Sequence, residues 1–359
     1  MTAEAPDLPW LEQPLSDALR TRRGHALLVH GPQGVGQFEF ALALAQAWLC
    51  DAPDQPVTKT RPCGVCASCR LVQARSHPDL LVVLPETLRD SLGWANGQGD
   101  DAGSDKAKPS KEIKVNAVRA VVAFAQTSSA RGSGKVVVVY PAERMNAVAA
   151  NTLLKTLEEP PGDARFVLGS AAPDALLPTI RSRCQGLALT VPRADQALAW
   201  LQGKGVQHAD VLLRATGGQP LEALNWADQG MDAKFWAGLP SLVARGESAA
   251  FMSWPLPRLV DALQKLCHDL QCQAVGAPLR YFAQLPSMSV ASLPALSAWA
   301  RSLALAARQA EHPWHAALMA ESLLHRGQTV LTLESPARAA GAVAVDPVAD
   351  PVDSLHSGA

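Results

Sequence analysis

The sequence predicts an α/β domain built on a parallel sheet, followed by helices. Three observations predict it. Apolar runs alternate with amphipathic stretches over about the first 190 residues, as they do when helices cover both faces of a parallel sheet. A glycine-rich turn, His30-Gly31-Pro32-Gln33-Gly34-Val35-Gly36-Gln37-Phe38, sits between the apolar run 26–29 and a helical pattern over 39–49. From Arg193 onward the strand signal stops.

The elements follow in order. Leu11, Leu15, Ala18 and Leu19 have helical spacing over 11–23. The basic run Arg20-Thr21-Arg22-Arg23 reads as a solvated helix end in preference to a nucleic-acid contact. Residues 26–29 make a first strand and 80–84 a buried second. Residues 86–112, rich in Gly, Asp, Ser and Lys, have the composition of a disordered surface insertion. Ile113, Val115, Val118, Val121 and Val122 mark a helix over 113–126. Val136 to Val139, four valines in a row, form the clearest central strand. A helix over 145–159 stops at Pro160-Pro161. Residues 165–169 form a fourth strand, 177–182 a short helix and 187–189 a last strand. Short helices follow over 194–203 and 207–216, and a third starts at 221–226. Three apolar faces then predict an all-α bundle. They are Leu256, Leu259, Val260, Leu263, Leu266, Cys267 and Leu270; Leu293, Leu296, Trp299, Ala300 and Leu303; and Leu318, Met319 and Leu323. Residues 336–359 lack periodicity and read as a disordered tail.

At 359 residues the chain accommodates two or three domains, and 48% hydrophobic content is enough to fill their cores. A net charge of -1 provides no global field for nucleic acid, so any such contact must be local. No apolar run approaches the roughly 20 residues of a membrane span. The N-terminus lacks the blocks of a secretory signal, so the expected location is the cytoplasm. Thiols stay reduced there, and clustered cysteines argue for metal over disulfides.

Strand, glycine turn and helix are the context of a phosphate-binding P-loop, whose backbone N–H groups and helix N-terminus cradle phosphates. A working loop continues with Lys, which reaches the β/γ-phosphates, and Ser/Thr, which holds Mg²⁺. Here Gln37 and Phe38 stand in those places. The scaffold Gly31, Gly34 and Gly36 is kept and its charged chemistry is gone. The strand 136–139 should end in acidic residues that hold the metal and position water. It ends in Tyr140 and Pro141, with Glu143 too late on the following turn. Two coincident losses fit a site that does not hydrolyse nucleotide.

Cys63, Cys66 and Cys69 form a C-x₂-C-x₂-C run, with Cys50 thirteen positions before it. Four soft ligands at such spacing suit structural zinc and leave no open catalytic position. An iron–sulfur cluster or free thiols are the alternatives. Ser182-Arg183-Cys184 reads either as a surface arginine beside a buried cysteine or as an arginine finger. Such a finger stabilises charge on a neighbour's γ-phosphate. Paired acidic residues occur only as Asp100-Asp101 and Glu158-Glu159, and no nuclease or polymerase site is visible.

These residues together resemble the delta-prime subunits of the bacterial DNA polymerase III clamp loader, within the AAA+ ATPase superfamily. The resemblance rests on His25-Ala26-Leu27-Leu28-Val29-His30-Gly31-Pro32, the four-cysteine module, Ser182-Arg183-Cys184, and the run Asn151-Thr152-Leu153-Leu154-Lys155-Thr156-Leu157-Glu158-Glu159-Pro160-Pro161. It covers about residues 10–190. The loader's motor subunits, gamma and tau, share the cysteine module and the Ser-Arg-Cys triplet. They keep Lys and Thr in the loop, Asp-Glu after the central strand, and an arginine in a Gly-Ser-Leu-Arg-like segment. Here that segment is Gly218 to Leu224, and Leu221 takes the arginine's place.

The resemblance implies an AAA+ P-loop domain over 1–192 with a zinc module at 50–69, and a helical lid over 193–240. A helical collar for oligomerisation follows over 241–335. It implies a catalytically silent subunit that hydrolyses no ATP, carries structural Zn²⁺ and lends Arg183 in trans. Implied partners are the gamma/tau and delta subunits. The sliding clamp and primer-template DNA are reached through the complex, a DNA-directed DNA polymerase holoenzyme that associates with the nucleoid during replication. An active AAA+ ATPase with an atypical P-loop and a zinc-dependent nucleic-acid-binding protein are the competing readings.

Overall fold

The computed structural model describes residues 8–21, 24–52, 61–94, 109–286, 289–290, 292–309 and 316–332. The chain divides into two compact units, Met1–Ala233 and Lys234–Ala359.

In the first unit a 3-10 turn (Pro9–Leu11) leads into α1 (Glu12–Thr21) and strand β1 (Ala26–His30). Helix α2 (Gln37–Leu49) starts two residues earlier than the apolar pattern suggests, because Gly36, at φ 102°, turns the chain directly into it. Next come α3 (Ala67–Gln73), β2 (Leu80–Val83), α4 (Glu86–Arg89), α5 (Val115–Gln126) and β3 (Val136–Val139). They are followed by α6 (Ala147–Glu158), β4 (Arg165–Ser170), α7 (Pro178–Arg181) and β5 (Gln185–Ala188). Helices α8 (Ala194–Gly203), α9 (Ala209–Ala215) and α10 (Pro220–Asp228) pack on one another.

The five strands are parallel, in the order β2-β3-β4-β1-β5. This is the parallel sheet that the alternating pattern led one to expect. Strands β2 and β3 are buried along their whole length, which accounts for their unbroken Leu and Val content. The side chains of Leu28, Val137, Val139, Phe166, Leu168 and Leu153 meet in one core between the sheet and helices α5 and α6. The chain leaves β1 between β4 and β5 and restarts at the far edge with β2. That switch falls at the C-terminal end of β1, the place where α/β sheets put ligands.

Three expectations are adjusted. Ile113 lies outside α5 and forms a parallel bridge with Met145, tying the helix entrance to the turn after β3. The last strand begins at Gln185 rather than 187, because its pairing with β1 runs from Leu27–Gln185 to His30–Ala188. Part of the stretch read as a loose insertion is structured. Residues 86–94 hold α4 and a turn docked by Arg75, whose Nη1 donates to the Gly93 carbonyl. Residues 95–108 lie outside the described residues.

The second unit takes up α11 (Ala233–Arg245), α12 (Leu256–Ala274), α13 (Leu293–Gln309) and α14 (Ala316–Val330). Helix α12 packs along α13, and α14 on both. The predicted face of α12, Leu256 to Leu270, is buried throughout. Leu296, Trp299 and Leu303 are buried on α13, whereas Leu293 in its first turn is exposed. On α14, Leu323 and Leu324 are buried and Leu318 is 65% exposed. Leu318 precedes Leu323 by five positions, about 140° around a helix, so the two cannot share a face. A short antiparallel pair, β6 (Ser289–Val290) with β7 (Leu331–Thr332), carried no sequence signal. The stretch 336–359 lies outside the described residues. No described helix is long and apolar enough to cross a membrane.

Candidate functional site

The glycine turn follows β1 at its C-terminal end, and the protein's own groups pack onto it. Gly34 and Gly36 have φ of 76° and 102°, values that only glycine adopts without strain. Gln37 is the first residue of α2 and is buried. Its Nε2 donates to the carbonyls of Gly31 at 2.7 Å and Pro32 at 2.8 Å. The Gln37 amide therefore turns back and holds the loop by its own carbonyls. The rings of Phe38 and Tyr140 pack on each other with centroids 5.2 Å apart. The two places that the sequence singled out, on the glycine turn and after β3, are thus one aromatic pair in space. Gly169 on β4 makes room for it, since a Cβ there would meet Tyr140 Cδ2 at 2.9 Å.

Neighbouring segments hold the loop as well. Trp10 Nε1 donates to the Val35 carbonyl at 2.8 Å, and its ring packs edge-on against Trp200 of α8. The Leu221 N–H donates to the Gly34 carbonyl at 3.1 Å. A Cβ on Gly34 would lie 3.0 Å from Glu222 Cβ and 3.3 Å from Gln219 Cβ, so the start of α10 rests on the loop. Burial raises the Glu39 carboxyl above its usual range. Burial, with Glu39 and Glu143 close by, raises the Tyr140 phenol. Glu143 Oε1 accepts from the Ala171 N–H at 3.1 Å, so this acid buttresses the end of β4.

The four cysteines converge. Cys50 ends α2, Cys66 caps α3, and the Sγ atoms of Cys50, Cys63, Cys66 and Cys69 all lie within 4.8 Å of one another. The pairs Cys50–Cys66 and Cys63–Cys69 are 3.8 and 3.9 Å apart. A tetrahedron with metal–sulfur bonds of about 2.3 Å has edges of about 3.8 Å, so the cage fits a tetrahedral metal ion. The Cys66 and Cys69 N–H groups point at the Cys63 and Cys66 sulfurs, at 3.4 and 3.3 Å. Hydrogen bonds from the Val65 and Cys66 N–H groups lower the Cys63 thiol to about 6. Burial pushes the thiols of Cys50 and Cys69 up. A cation in the cage supplies what this set lacks, a charge that keeps all four as thiolates.

The cage is tied to the sheet by a network that no sequence pattern announced. Asp51 Oδ1 accepts from Ser68 Oγ at 2.7 Å. Arg131 reaches both, with Nε to Ser68 Oγ at 2.8 Å and Nη2 to Asp51 Oδ2 at 3.1 Å. The loop that carries Arg131 is held in turn by fully buried Asp79. This carboxylate accepts from the N–H groups of Ala130 and Arg131, from Ser129 Oγ and from buried Lys135 Nζ.

Arg183 follows α7, away from the glycine turn, with 30% of its side chain exposed. Its Nε donates to Glu158 Oε1 at 2.6 Å, its Nη2 to the same oxygen, and its Nη1 to the Thr179 carbonyl at 2.8 Å. Cys184 beside it is half-buried, and burial raises its thiol to about 12, so it packs as an apolar group. In the second unit His268, Asp269 and Cys272 also cluster. Both Asp269 oxygens are committed, however, to the Arg280, Tyr281 and Phe282 N–H groups and to His268. That cluster staples a loop.

The profile of the family described as DNA polymerase III, delta subunit, matches residues 11–193. The chain is 36% identical over 267 residues to the DNA polymerase III subunit delta' of Pseudomonas aeruginosa, covering 70% of this chain and 74% of that one. It is 31% identical over 292 residues to the subunit of the same name from Escherichia coli strain K12, covering 75% and 80%. A solved DNA polymerase III gamma subunit-related protein from Thermotoga maritima aligns with 89% of this chain and 99% of its own. The identity there is 17% and the TM-score 0.47. A P-loop sheet, a four-cysteine cage and this extent of identity place the chain in the delta-prime family of DNA polymerase III subunits.

Proposed function

We propose that the chain is the non-hydrolysing, stator-like member of a clamp loader. In that complex, gamma/tau motors and a delta subunit open the ring-shaped sliding clamp and place it on primer-template DNA. The observation that carries this reading is the glycine loop and what packs onto it. Gln37 is turned onto the loop's own carbonyls and the Phe38–Tyr140 pair stands where a metal would be held, so the site lacks the charged groups that orient a triphosphate for hydrolysis. Conserving the loop's backbone then has a mechanical purpose, which is to hold β1, α2 and α10 together as a rigid base. Arg183 acts from this base on the adjacent motor. Its guanidinium stabilises the charge that builds on the neighbour's γ-phosphate as hydrolysis releases the loaded clamp. The helices of the second unit serve as the collar that joins the subunits.

The purified chain is expected to show no ATP turnover and no thermal stabilisation by millimolar MgATP, because a ligand stabilises only the fold that binds it. Turnover that disappears on Gly36→Val would establish the active-ATPase reading instead. The four cysteines are proposed to hold one structural Zn²⁺, given a closed, all-thiolate cage. Metal analysis should return one equivalent of zinc per chain. Because binding displaces thiol protons, that zinc should be lost progressively as the pH is lowered into the acid range. Chelator-sensitive DNA binding by the free chain would favour the nucleic-acid-binding reading.

A further inference from the structure

We infer that Glu158 is the positioning residue of the arginine finger, holding the Arg183 guanidinium by one edge and leaving the other to face a neighbouring phosphate. This rests on the reading of Arg183 as a finger acting in trans. A guanidinium has five N–H donors in a fixed planar fork. The Nε and Nη2 hydrogens of one edge both go to Glu158 Oε1. One Nη1 hydrogen goes to the Thr179 carbonyl at 2.8 Å. Two hydrogens remain, the second on Nη2 and the second on Nη1, and the latter meets only Ser182 Oγ at 3.4 Å. With Glu158 holding the Nε edge, the second Nη2 hydrogen lies at the tip of the fork, the edge that grips two oxygens of a phosphate, on a side chain that is 30% exposed.

Both anchors are themselves fixed. Glu158 is the last residue of α6, where Pro160 and Pro161 prevent the helix from continuing, so its carboxylate has a set origin. The Thr179 carbonyl belongs to α7. The contact spans 25 residues of sequence and joins the ends of two helices. It gives the first glutamate of the acidic pair 158–159 a purpose that a solvated helix end does not need. A finger is effective only when its geometry is set before the reaction, and misplacement by about 1 Å can cost on the order of 100-fold in rate.

The test uses the reconstituted loader with primed DNA and clamp, following phosphate release before the steady state. The phase that Arg183→Ala slows reports the adjoining site. Glu158→Ala is expected to lower kcat of that phase by roughly 10- to 100-fold, with KM for ATP changed by less than about 2-fold. Glu158→Gln keeps an acceptor and should stay within about 3-fold of wild type. Glu158→Ala combined with Arg183→Ala should be no slower than Arg183→Ala alone, because the first acts through the second. Unchanged kcat in Glu158→Ala, or a double variant slower by the product of the single effects, overturns the proposal and leaves the finger standing. If Arg183→Ala itself changes no phase, the finger reading falls and this inference with it. Co-purification of every variant with the motor subunits excludes misfolding.

Discussion

Arg183→Ala is expected to leave the subunit folded and assembled while slowing hydrolysis at the adjoining motor site by about 1,000-fold or more. The two halves of this result have separate physical grounds. The pair that Arg183 makes with Glu158 is partly exposed, with side-chain exposures of 30% and 46%. Such pairs contribute only about 0.2–1 kcal/mol to folding. A guanidinium at a transition-state phosphate works in a site from which water is excluded, where the same charge counts for several kcal/mol. DNA-stimulated ATPase and clamp loading by the reconstituted complex are the measurements. Full activity in both would remove Arg183 from the reaction. Arg183→Lys should recover little, because an ammonium lacks the planar fork.

The largest effect on stability is expected at Asp79. Asp79→Ala should cost about 3–5 kcal/mol, since it leaves a buried lysine and two backbone N–H groups without their acceptor. Burial on its own would raise the Asp79 carboxyl. The hydrogen bonds from Ala130, Arg131, Ser129 and Lys135 outweigh burial and hold it below the usual range. A depressed carboxyl stabilises the fold above its unfolded pKa of about 3.9 and ceases to do so as pH falls through the lower folded value. The stability gap between wild type and Asp79→Ala, measured by denaturant unfolding, should therefore be constant near neutrality and narrow below about pH 4. A gap independent of pH down to acid unfolding would show that Asp79 is not ionised in the fold. Because Arg131 bridges this loop to Asp51 and Ser68, the variant should also loosen the cysteine cage, seen as faster loss of metal to a chelator.

Much of this site was legible in the sequence because it is written in local patterns. The glycine turn, the four cysteines, the four-valine strand and the Ser182-Arg183-Cys184 triplet are each contiguous or nearly so. The absence of lysine and threonine at Gln37 and Phe38 could be read directly. What those residues do instead could not. Phe38 and Tyr140 are 102 positions apart, and only the strand order brings their rings together. Trp10 and Trp200 meet through tertiary contact with no periodic signal. Asp79 carries no sequence signal, because its partners are mostly backbone N–H groups and hydroxyls, which every sequence supplies. Helix boundaries moved where a glycine or a bridge took over from propensity, as at Gly36 and Ile113. Leu318 was misplaced because a short apolar list does not define a helical face.

The hydrogen bond from the Leu221 N–H to the Gly34 carbonyl has a consequence for how the cell's energy charge reaches this subunit. In a motor, such a seam would part or close as triphosphate gives way to diphosphate. Here it is sewn with main-chain atoms, and by the function proposed above the loop beneath it exchanges no nucleotide. The chain should therefore keep one conformation whether the cell is fed or starved, a fixed reference against which its fuel-burning neighbours move.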